Sequence, residues 1–227
     1  MDCSVKEAYE EKIINDEDLD GIANVFGTAY AYQFTLKYSD VSIKDWFYPN
    51  VYMMYRRGIM TGLNDEIFGP SQSIARAQFM VILNRMKGNP KPVAYDGSHW
   101  TDIMEDWYKD AVYWGIQNKI MTGYSDSGRW GTADVLTREQ LATVMYRYAE
   151  YSGYDVKKRA DLGKFEDASS VSGFAKEAVE WAVAEGIITG KDNGTKLDSQ
   201  GETARAECAT VIERFIKSHE NWGYRDL

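Results

Sequence analysis

Three segments of the sequence repeat one pattern, and this repetition restricts the possible folds more than any other feature. Each segment contains a glycine-bearing string that begins twelve residues after an aromatic side chain, Trp46, Trp107 or Phe174. The strings read GIMTG (58–62), KIMTG (119–123) and GIITG (186–190). Self-similarity of this kind is typical of architectures in which each unit packs against its neighbours.

A second element follows each string, again in step between the repeats. A turn-rich stretch leads to an apolar residue, Phe68, Trp130 or Leu197, and eight residues later comes an arginine. The arginines are Arg76, Arg138 and Arg205. Apolar residues then recur at i, i+3, i+4 and i+7, which predicts an amphipathic helix in every repeat. They are Phe79, Ile82, Leu83 and Met86; Leu141, Val144, Met145 and Tyr148; and Cys208, Val211, Ile212 and Phe215.

The sequence therefore predicts a mainly α protein of three helix-turn-loop-helix repeats, at 39–88, 100–150 and 165–218. The first helix of each unit has an apolar face, and the glycine after it suits a left-handed C-terminal position. Two amphipathic helices in a unit of about 50 residues cannot bury their apolar faces alone, so the repeats must pack together. From the residues alone, a closed pseudo-threefold bundle and a short stacked solenoid are both possible.

The segments outside the repeats give less information. Residues 1–38 are predicted to form an N-terminal helical segment of unassigned role, with helices over about 5–14 and 19–36, and residues 219–227 form a tail. The string DEDLDG (16–21) resembles the opening of a calcium loop, but Gly27 stands where a bidentate glutamate belongs. An acidic helix start accounts for it better, and no metal site is predicted.

Charge and composition exclude several classes of function. The formal charge is 26 − 35 = −9, with acids and bases mixed along the chain, which disfavours nucleic-acid binding. No run of about 18 apolar residues predicts a membrane span. Cys3 and Cys208 are too few for a disulfide framework, and Cys208 is expected in the core. With only His99 and His219, neither beside a patterned nucleophile, we expect no catalytic activity and no cofactor.

The arginines lie in strings that resemble a family motif. The order of aspartate, aromatic residue, helix, G-I-x-x-G, loop and an ITRAE-like string is similar to the S-layer homology domain family. The ITRAE-like strings here read IARAQ (74–78), LTREQ (136–140) and TARAE (203–207). Together the three copies cover roughly residues 39–217.

This resemblance implies a three-pronged pseudo-trimer whose inter-repeat grooves bind a bacterial secondary cell-wall polysaccharide, often with a pyruvate ketal. It also implies that such a module is covalently part of a larger exported protein at the bacterial cell surface. The start of the chain has neither the basic nor the apolar part of a signal peptide, and we interpret it accordingly as a piece of a longer parent. Because the average charge would repel an anionic polymer, the ligand must meet local cations.

The family string also suggests how an anion is held. A threonine and a glutamate in T-x-x-E form a capping box, which places the arginine in the first turn of a helix. Backbone N–H groups there favour an anion, and a guanidinium can bind a carboxylate with two hydrogen bonds. Only Thr137 with Gln140 retains the box, since Ala75 and Ala204 replace the other threonines. We expect those two helix starts to be weaker by about 1 kcal/mol each.

Each candidate position has a structural alternative. The arginines can instead pair with acids and tie the repeats together, and the tryptophans can pack in the core rather than stack on a sugar. The aspartates suit turns or caps, and the glycines suit backbone geometry or close approach of a ligand. The predicted ligand-binding residues are Arg76, Arg138, Arg205, Trp46, Trp107, Asp40, Asp102, Asp167, Gly62, Gly123 and Gly190. The alternative function is a surface adhesin or scaffold that binds a protein through exposed aromatic residues.

Overall fold

The computed structural model describes residues 36–93, 99–124 and 127–219. The helices predicted before residue 36, the calcium-like string and nearly all of the tail lie outside these residues. Each repeat contributes two helices to the described part. They are α1 (Tyr48–Arg56), α2 (Arg76–Met86), α3 (Asp106–Gln117), α4 (Arg138–Tyr151), α5 (Lys176–Ala184) and α6 (Arg205–His219).

The second helices α2, α4 and α6 bury the faces that their periodicity predicts. All twelve apolar positions named above are at most 5% exposed, and Cys208 is fully buried among them. Burial raises the pKa of the Cys208 thiol to about 12, so this cysteine packs as a small apolar residue. The predicted first helices also bury their apolar face, with Val51 and Met54 fully enclosed in α1.

The residue after each first helix takes the predicted left-handed conformation. Gly58 and Gly186 have φ values of 64° and 70°, and Lys119 occupies the same position with φ 56°. A side chain in this region costs roughly 1–2 kcal/mol, which a glycine avoids. The backbone of the second repeat nevertheless follows that of the other two.

The three repeats close into a pseudo-threefold bundle rather than a stacked solenoid. At the centre, one backbone amide of each ITRAE-like string donates to a carbonyl of another repeat. Ile74 N donates to Thr203 O at 2.9 Å, Thr203 N to Leu136 O at 2.9 Å, and Leu136 N to Ile74 O at 3.0 Å. These three hydrogen bonds form a closed triangle, which a linear stack would leave open at its ends.

The most extensive contacts between helices join different repeats. Helix α2 packs against α3, α4 against α5, and α6 against α1. Each prong of the bundle therefore combines the second helix of one repeat with the first helix of the next. Repeat 3 returns to repeat 1, so the apolar faces of all six helices are covered by the ring as a whole.

Two global features bear on function. None of the helices in the described ranges is both long and apolar enough to cross a membrane. The same residues contain no group of three or more His, Cys, Asp or Glu side chains placed to hold a metal ion.

Candidate functional site

The three ITRAE-like arginines are buried and bridge the repeats. Each is at most 8% exposed. Its Nε donates to a backbone carbonyl of the next repeat in the ring, that of the apolar residue eight positions before that repeat's own ITRAE-like arginine. The pairs are Arg76 with Trp130 O at 3.1 Å, Arg138 with Leu197 O at 2.9 Å, and Arg205 with Phe68 O at 2.9 Å. The arginines therefore do tie the repeats together, mainly by hydrogen bonds to backbone carbonyls instead of ion pairs with carboxylates.

Two of the arginines make a second bond to a threonine of a glycine-bearing string. Nη2 of Arg76 donates to Thr122 O, and Nη2 of Arg205 donates to Thr61 O, both at 2.7 Å. Burial lowers the pKa of both guanidiniums, but an arginine stays charged because its ordinary pKa lies far above neutrality. The bundle thus holds fixed positive charges where the repeats meet.

The N-termini of the second helices are already satisfied by the protein. The first two amides of α2, at Arg76 and Ala77, donate to Asp134 O and Thr132 O of repeat 2. The starts of α4 and α6 use the loops of repeats 3 and 1 in the same way. The expectation that these amides face an anion is therefore wrong, because ring closure places carbonyls there. It also explains how α2 and α6 begin although the residues before them, Ala75 and Ala204, have no side-chain acceptor for a cap.

The aspartates fix the loops that supply those carbonyls. Asp40 accepts the amides of Phe68 and Gly69, both at 2.8 Å. Asp102 accepts three amides, from Trp130, Gly131 and Thr132, and Asp167 accepts two, from Leu197 and Asp198. None of the three aspartates is among the residues that line the grooves described below.

The last glycine of each string lies close to other atoms of the protein. A Cβ on Gly62 would lie 2.6 Å from the carbonyl oxygens of both Asn64 and Ile67, and one on Gly190 would lie 2.9 Å from Lys196 O. At Gly123 the side chain of Trp100 occupies the space. Close backbone atoms therefore require glycine at Gly62 and Gly190, which also line grooves, and the Trp100 side chain requires it at Gly123.

We expect Gly62→Ala to lower the free energy of unfolding by about 3 kcal/mol, since overpacking against backbone atoms cannot be relieved by a rotamer change. Urea denaturation followed by tryptophan fluorescence measures the change. Gly173→Ala is the control, because a Cβ there meets no atom within 4 Å. Equal stability of the two variants would show that the loop at Gly62 adjusts freely.

Groove 1 is built around the glycine-bearing string of repeat 1 and has a volume of about 250 Å³. Repeat 1 provides most of its wall, repeat 2 provides Trp107 and repeat 3 provides Arg205. All three repeats are therefore needed to form it. Its lining consists of Met60, Thr61, Gly62, Leu63, Gln78, Val81, Ile82, Arg85, Trp107 and Arg205.

Groove 3 is the equivalent site around repeat 3, with a volume of about 220 Å³. Repeat 1 contributes Trp46 and repeat 2 contributes Arg138. Its lining consists of Trp46, Arg138, Ile187, Ile188, Thr189, Gly190, Lys191, Glu207, Thr210, Val211 and Arg214. Both volumes are below the range of about 300–1,000 Å³ for drug-sized ligands, so each groove suits a small group.

The tryptophans do not pack in the core. Trp46 is 64% exposed and Trp107 is 59% exposed, and each stands at the edge of a groove formed mainly by another repeat. The core interpretation of these residues is wrong because Trp46, two residues before α1, and Trp107, in the first turn of α3, lie on the exposed side of the helix start. Phe174, at the equivalent position of repeat 3, is likewise 64% exposed.

A second basic position was missed in the sequence. Arg85 and Arg214 line grooves 1 and 3, and each stands nine residues after an ITRAE-like arginine. Arg147 has the same spacing in repeat 2 and is exposed. The recurrence of arginine at this position in all three repeats was the available signal. Burial lowers the pKa of Arg85 and Arg214, and nearby Arg138 lowers that of Arg214 further.

Comparison with known proteins agrees with this architecture. A family model for the S-layer homology domain matches residues 37–80 and 164–195. The chain is 30% identical to the surface-layer 125 kDa protein of Lysinibacillus sphaericus, over 71% of the chain and 13% of that protein. It is 27% identical to the cellulosome-anchoring protein of Acetivibrio thermocellus, over 70% of the chain and 35% of that protein.

Relatives also include an enzyme. The chain is 28% identical to an endoglucanase of Bacillus sp. strain KSM-635, over 79% of the chain but only 18% of the enzyme. The chain thus spans a minor part of each of these relatives.

Proposed function

Because the chain belongs to the S-layer homology domain family, we propose that it is a bacterial cell-surface anchoring module that binds wall polysaccharide in its inter-repeat grooves. The observation that supports this proposal best is the composition of the grooves. Each joins a buried guanidinium, a glycine-bearing backbone and an exposed indole, and each requires all three repeats. The endoglucanase relative fits an anchoring module joined to a separate catalytic part.

The groove chemistry favours a sugar that bears a carboxylate, such as a pyruvate ketal. A tryptophan at the rim offers an apolar face on which a sugar ring stacks. A fixed guanidinium attracts the carboxylate, and its planar donors favour a bidentate geometry. Since the chain carries a net charge of −9, these local cations must provide the attraction for an acidic polymer.

Co-sedimentation with Gram-positive cell walls tests the proposal. Walls that keep their secondary polysaccharide should bring down the purified chain, and walls chemically stripped of it should not. Binding that survives complete removal of the polysaccharide would contradict the proposal. It would favour a protein ligand, for which the exposed side chains Trp46, Met104, Trp107 and Phe174 provide anchors.

We expect Trp46→Ala and Trp107→Ala each to weaken wall binding while leaving the fold intact, since both indoles are more than half exposed. Loss of a stacking contact of about 1 kcal/mol corresponds to a reduction of roughly fivefold per groove. Binding isotherms on intact walls measure the effect, and circular dichroism checks the fold. Val93→Ala removes a similarly exposed side chain outside the grooves and should bind normally.

A further inference from the structure

We infer that the segment between repeats 2 and 3 is a processing site for a protease that cuts after basic residues, and that the bond it cuts is Lys157–Lys158. This segment, residues 152–164, is called linker 2, and residues 88–99 between repeats 1 and 2 are called linker 1. Linker 2 carries Lys157, Lys158 and Arg159 in succession. A cut here leaves repeats 1 and 2 on one chain and repeat 3 on another.

Linker 2 presents its basic residues in the conformation that a protease binds. Residues 154–161 lie outside any helix or turn, and Lys157, Lys158 and Arg159 are all exposed. Proteases bind their substrates as extended segments, and an acidic pocket in proteases of the trypsin type selects a basic side chain before the cut bond. Exposed loops are also where proteolytic nicking concentrates. The linker therefore fits such a protease without refolding of the bundle.

The contacts within linker 2 leave the Lys157–Lys158 bond the least restrained. Among the residues that the structure describes, neither the Lys157 carbonyl nor the Lys158 amide makes a hydrogen bond. Lys158 pairs with Glu185 at 3.2 Å and Arg159 pairs with Glu177, whereas Lys157 has no acidic partner in the described ranges. The Lys157 side chain can therefore enter the pocket of a protease without breaking an ion pair.

The bond after Arg159 is held more firmly. Ala160 N donates to Glu180 O at 3.1 Å, which fixes this bond to the surface of α5. The Arg159 side chain is only 30% exposed, and its guanidinium lies 5.6 Å from the ring centroid of Tyr146 on α4. Arg159 must leave these partners before it can enter a protease pocket. We therefore expect cleavage after Arg159 to be slower than cleavage after Lys157.

Linker 1 offers no equivalent bond. Lys91 is its only lysine or arginine, and it stands between Pro90 and Pro92. A proline after the basic residue lacks the amide N–H and fixes φ, which prevents the normal fit of the bond in a protease. Lys91 also pairs with Asp110 at 2.6 Å. Other exposed lysines lie in turns, namely Lys44, Lys87 and Lys119.

The reaction is a hydrolysis that needs only the protease and water. The amide bond between Lys157 and Lys158 breaks, and one water molecule is consumed. The carbonyl carbon of Lys157 gains the oxygen and becomes a carboxylate, and the nitrogen of Lys158 gains a proton and becomes an amine. The products are the fragments 1–157 and 158–227.

The two fragments stay together after the cut, because buried contacts between repeats 3 and 1 join them. Arg57 on α1 pairs with Glu213 on α6 at 2.8 Å, and both side chains are at most 6% exposed. Next to this pair, Asn50 donates to Thr210 at 3.0 Å. The cut nevertheless removes the covalent connection, so the assembly becomes dependent on protein concentration.

Separation of the fragments would destroy both grooves. Groove 1 takes Trp107 from fragment 1–157 and Arg205 from fragment 158–227, and groove 3 likewise contains Trp46 and Arg138 of the first fragment beside residues of the second. Processing in linker 2 is thus a route by which the module detaches from the cell wall. This consequence rests on the proposed function, whereas the cut itself does not.

Limited digestion of the folded full chain with trypsin, followed by mass spectrometry, tests the inference. The first cut between residues 36 and 219 should follow Lys157, and the fragments should elute together in gel filtration and separate in urea. Lys157→Gln should slow cleavage of linker 2 at least about tenfold, because the selecting pocket loses its basic side chain. Lys164→Gln is the matched control, since it removes an exposed lysine from the same linker and should leave the rate unchanged.

The outcomes separate the cut from its consequence and from the proposed function. A first cut elsewhere between residues 36 and 219, or an unchanged rate in Lys157→Gln, would overturn the assignment of the bond. Cut chain bound to intact walls should dissociate on dilution, while uncut chain stays bound. Retention of the cut chain would overturn the release route alone. Failure of the uncut chain to bind walls would overturn the anchoring function and leave the processing site in place.

Discussion

Arg205→Ala is expected to lower the free energy of unfolding by about 4 kcal/mol, because two buried carbonyls lose a charged donor. The guanidinium of Arg205, in repeat 3, donates to Phe68 O and Thr61 O of repeat 1. It also packs on the Phe68 ring. Its removal therefore weakens the contact between repeats 3 and 1. Urea denaturation followed by tryptophan fluorescence measures the change.

Two comparisons make this prediction specific. Arg147→Ala removes an arginine from the exposed face of α4 and should change stability by less than about 0.5 kcal/mol. Arg205→Lys should be intermediate, since one ammonium cannot reproduce the planar fork that reaches both carbonyls. If the three variants were equally stable, the bundle would not depend on these bridges.

The buried arginines have two roles that a binding assay alone cannot separate. Arg205 and Arg138 hold the ring together and also place charge in the grooves. A substitution that abolishes wall binding could act through either role. Gln78→Glu avoids this difficulty, since it alters the charge of groove 1 without removing the hydrogen bonds that Arg205 donates to repeat 1.

The helices of the repeats were predictable because their apolar periodicity is strong and occurs three times. The positions Leu141, Val144, Met145 and Tyr148 of α4 are all buried as predicted. Which helix packs against which was harder to predict from the sequence. Nothing in the sequence of α2 states that it packs on α3 of the next repeat, because the same apolar face would also fit α1. The backbone triangle at Ile74, Leu136 and Thr203 decides the matter by closing the ring.

The candidate site was predicted in its residue types more than in its geometry. Repetition identified the arginines and glycines, and grooves 1 and 3 combine them with the tryptophans. The expected anion site at the helix ends was wrong because backbone carbonyls of neighbouring repeats fill it, and such long-range contacts leave no local pattern. Arg85 was missed because a basic residue on an amphipathic helix usually marks a solvated face.

Asp102→Asn is expected to destabilise the bundle by about 3 kcal/mol at neutral pH. The carboxylate accepts three backbone amides, from Trp130 at 2.8 Å, Gly131 at 2.7 Å and Thr132 at 3.1 Å. Asparagine keeps one acceptor oxygen and turns an NH₂ group toward the other donors, which leaves buried N–H groups unpaired. The loop whose Trp130 O accepts a hydrogen bond from Arg76 should become less ordered in this variant. Urea denaturation at pH 7 measures the decrease in the free energy of unfolding.

The pH dependence of stability distinguishes this mechanism from a general loss of packing. Burial raises the pKa of Asp102, but the three amide donors outweigh it and lower that pKa below the ordinary value of an aspartate. A carboxyl whose pKa is lower in the folded state stabilises the fold above its unfolded pKa of about 3.9, and this contribution is lost as pH falls through the folded value. The stability difference between the unaltered chain and Asp102→Asn should therefore shrink as pH falls below about 4.

Asp106→Asn is the matched control, since that side chain is 98% exposed and pairs only with Lys109 within the described residues. It should cost less than about 1 kcal/mol at pH 7. A stability difference for Asp102→Asn that stays constant into the acid range would mean that the asparagine destabilises the fold by poor packing, and not by the loss of an ionised carboxylate. A difference that shrinks only in that variant ties the acid sensitivity of the bundle to the loop that positions Arg76.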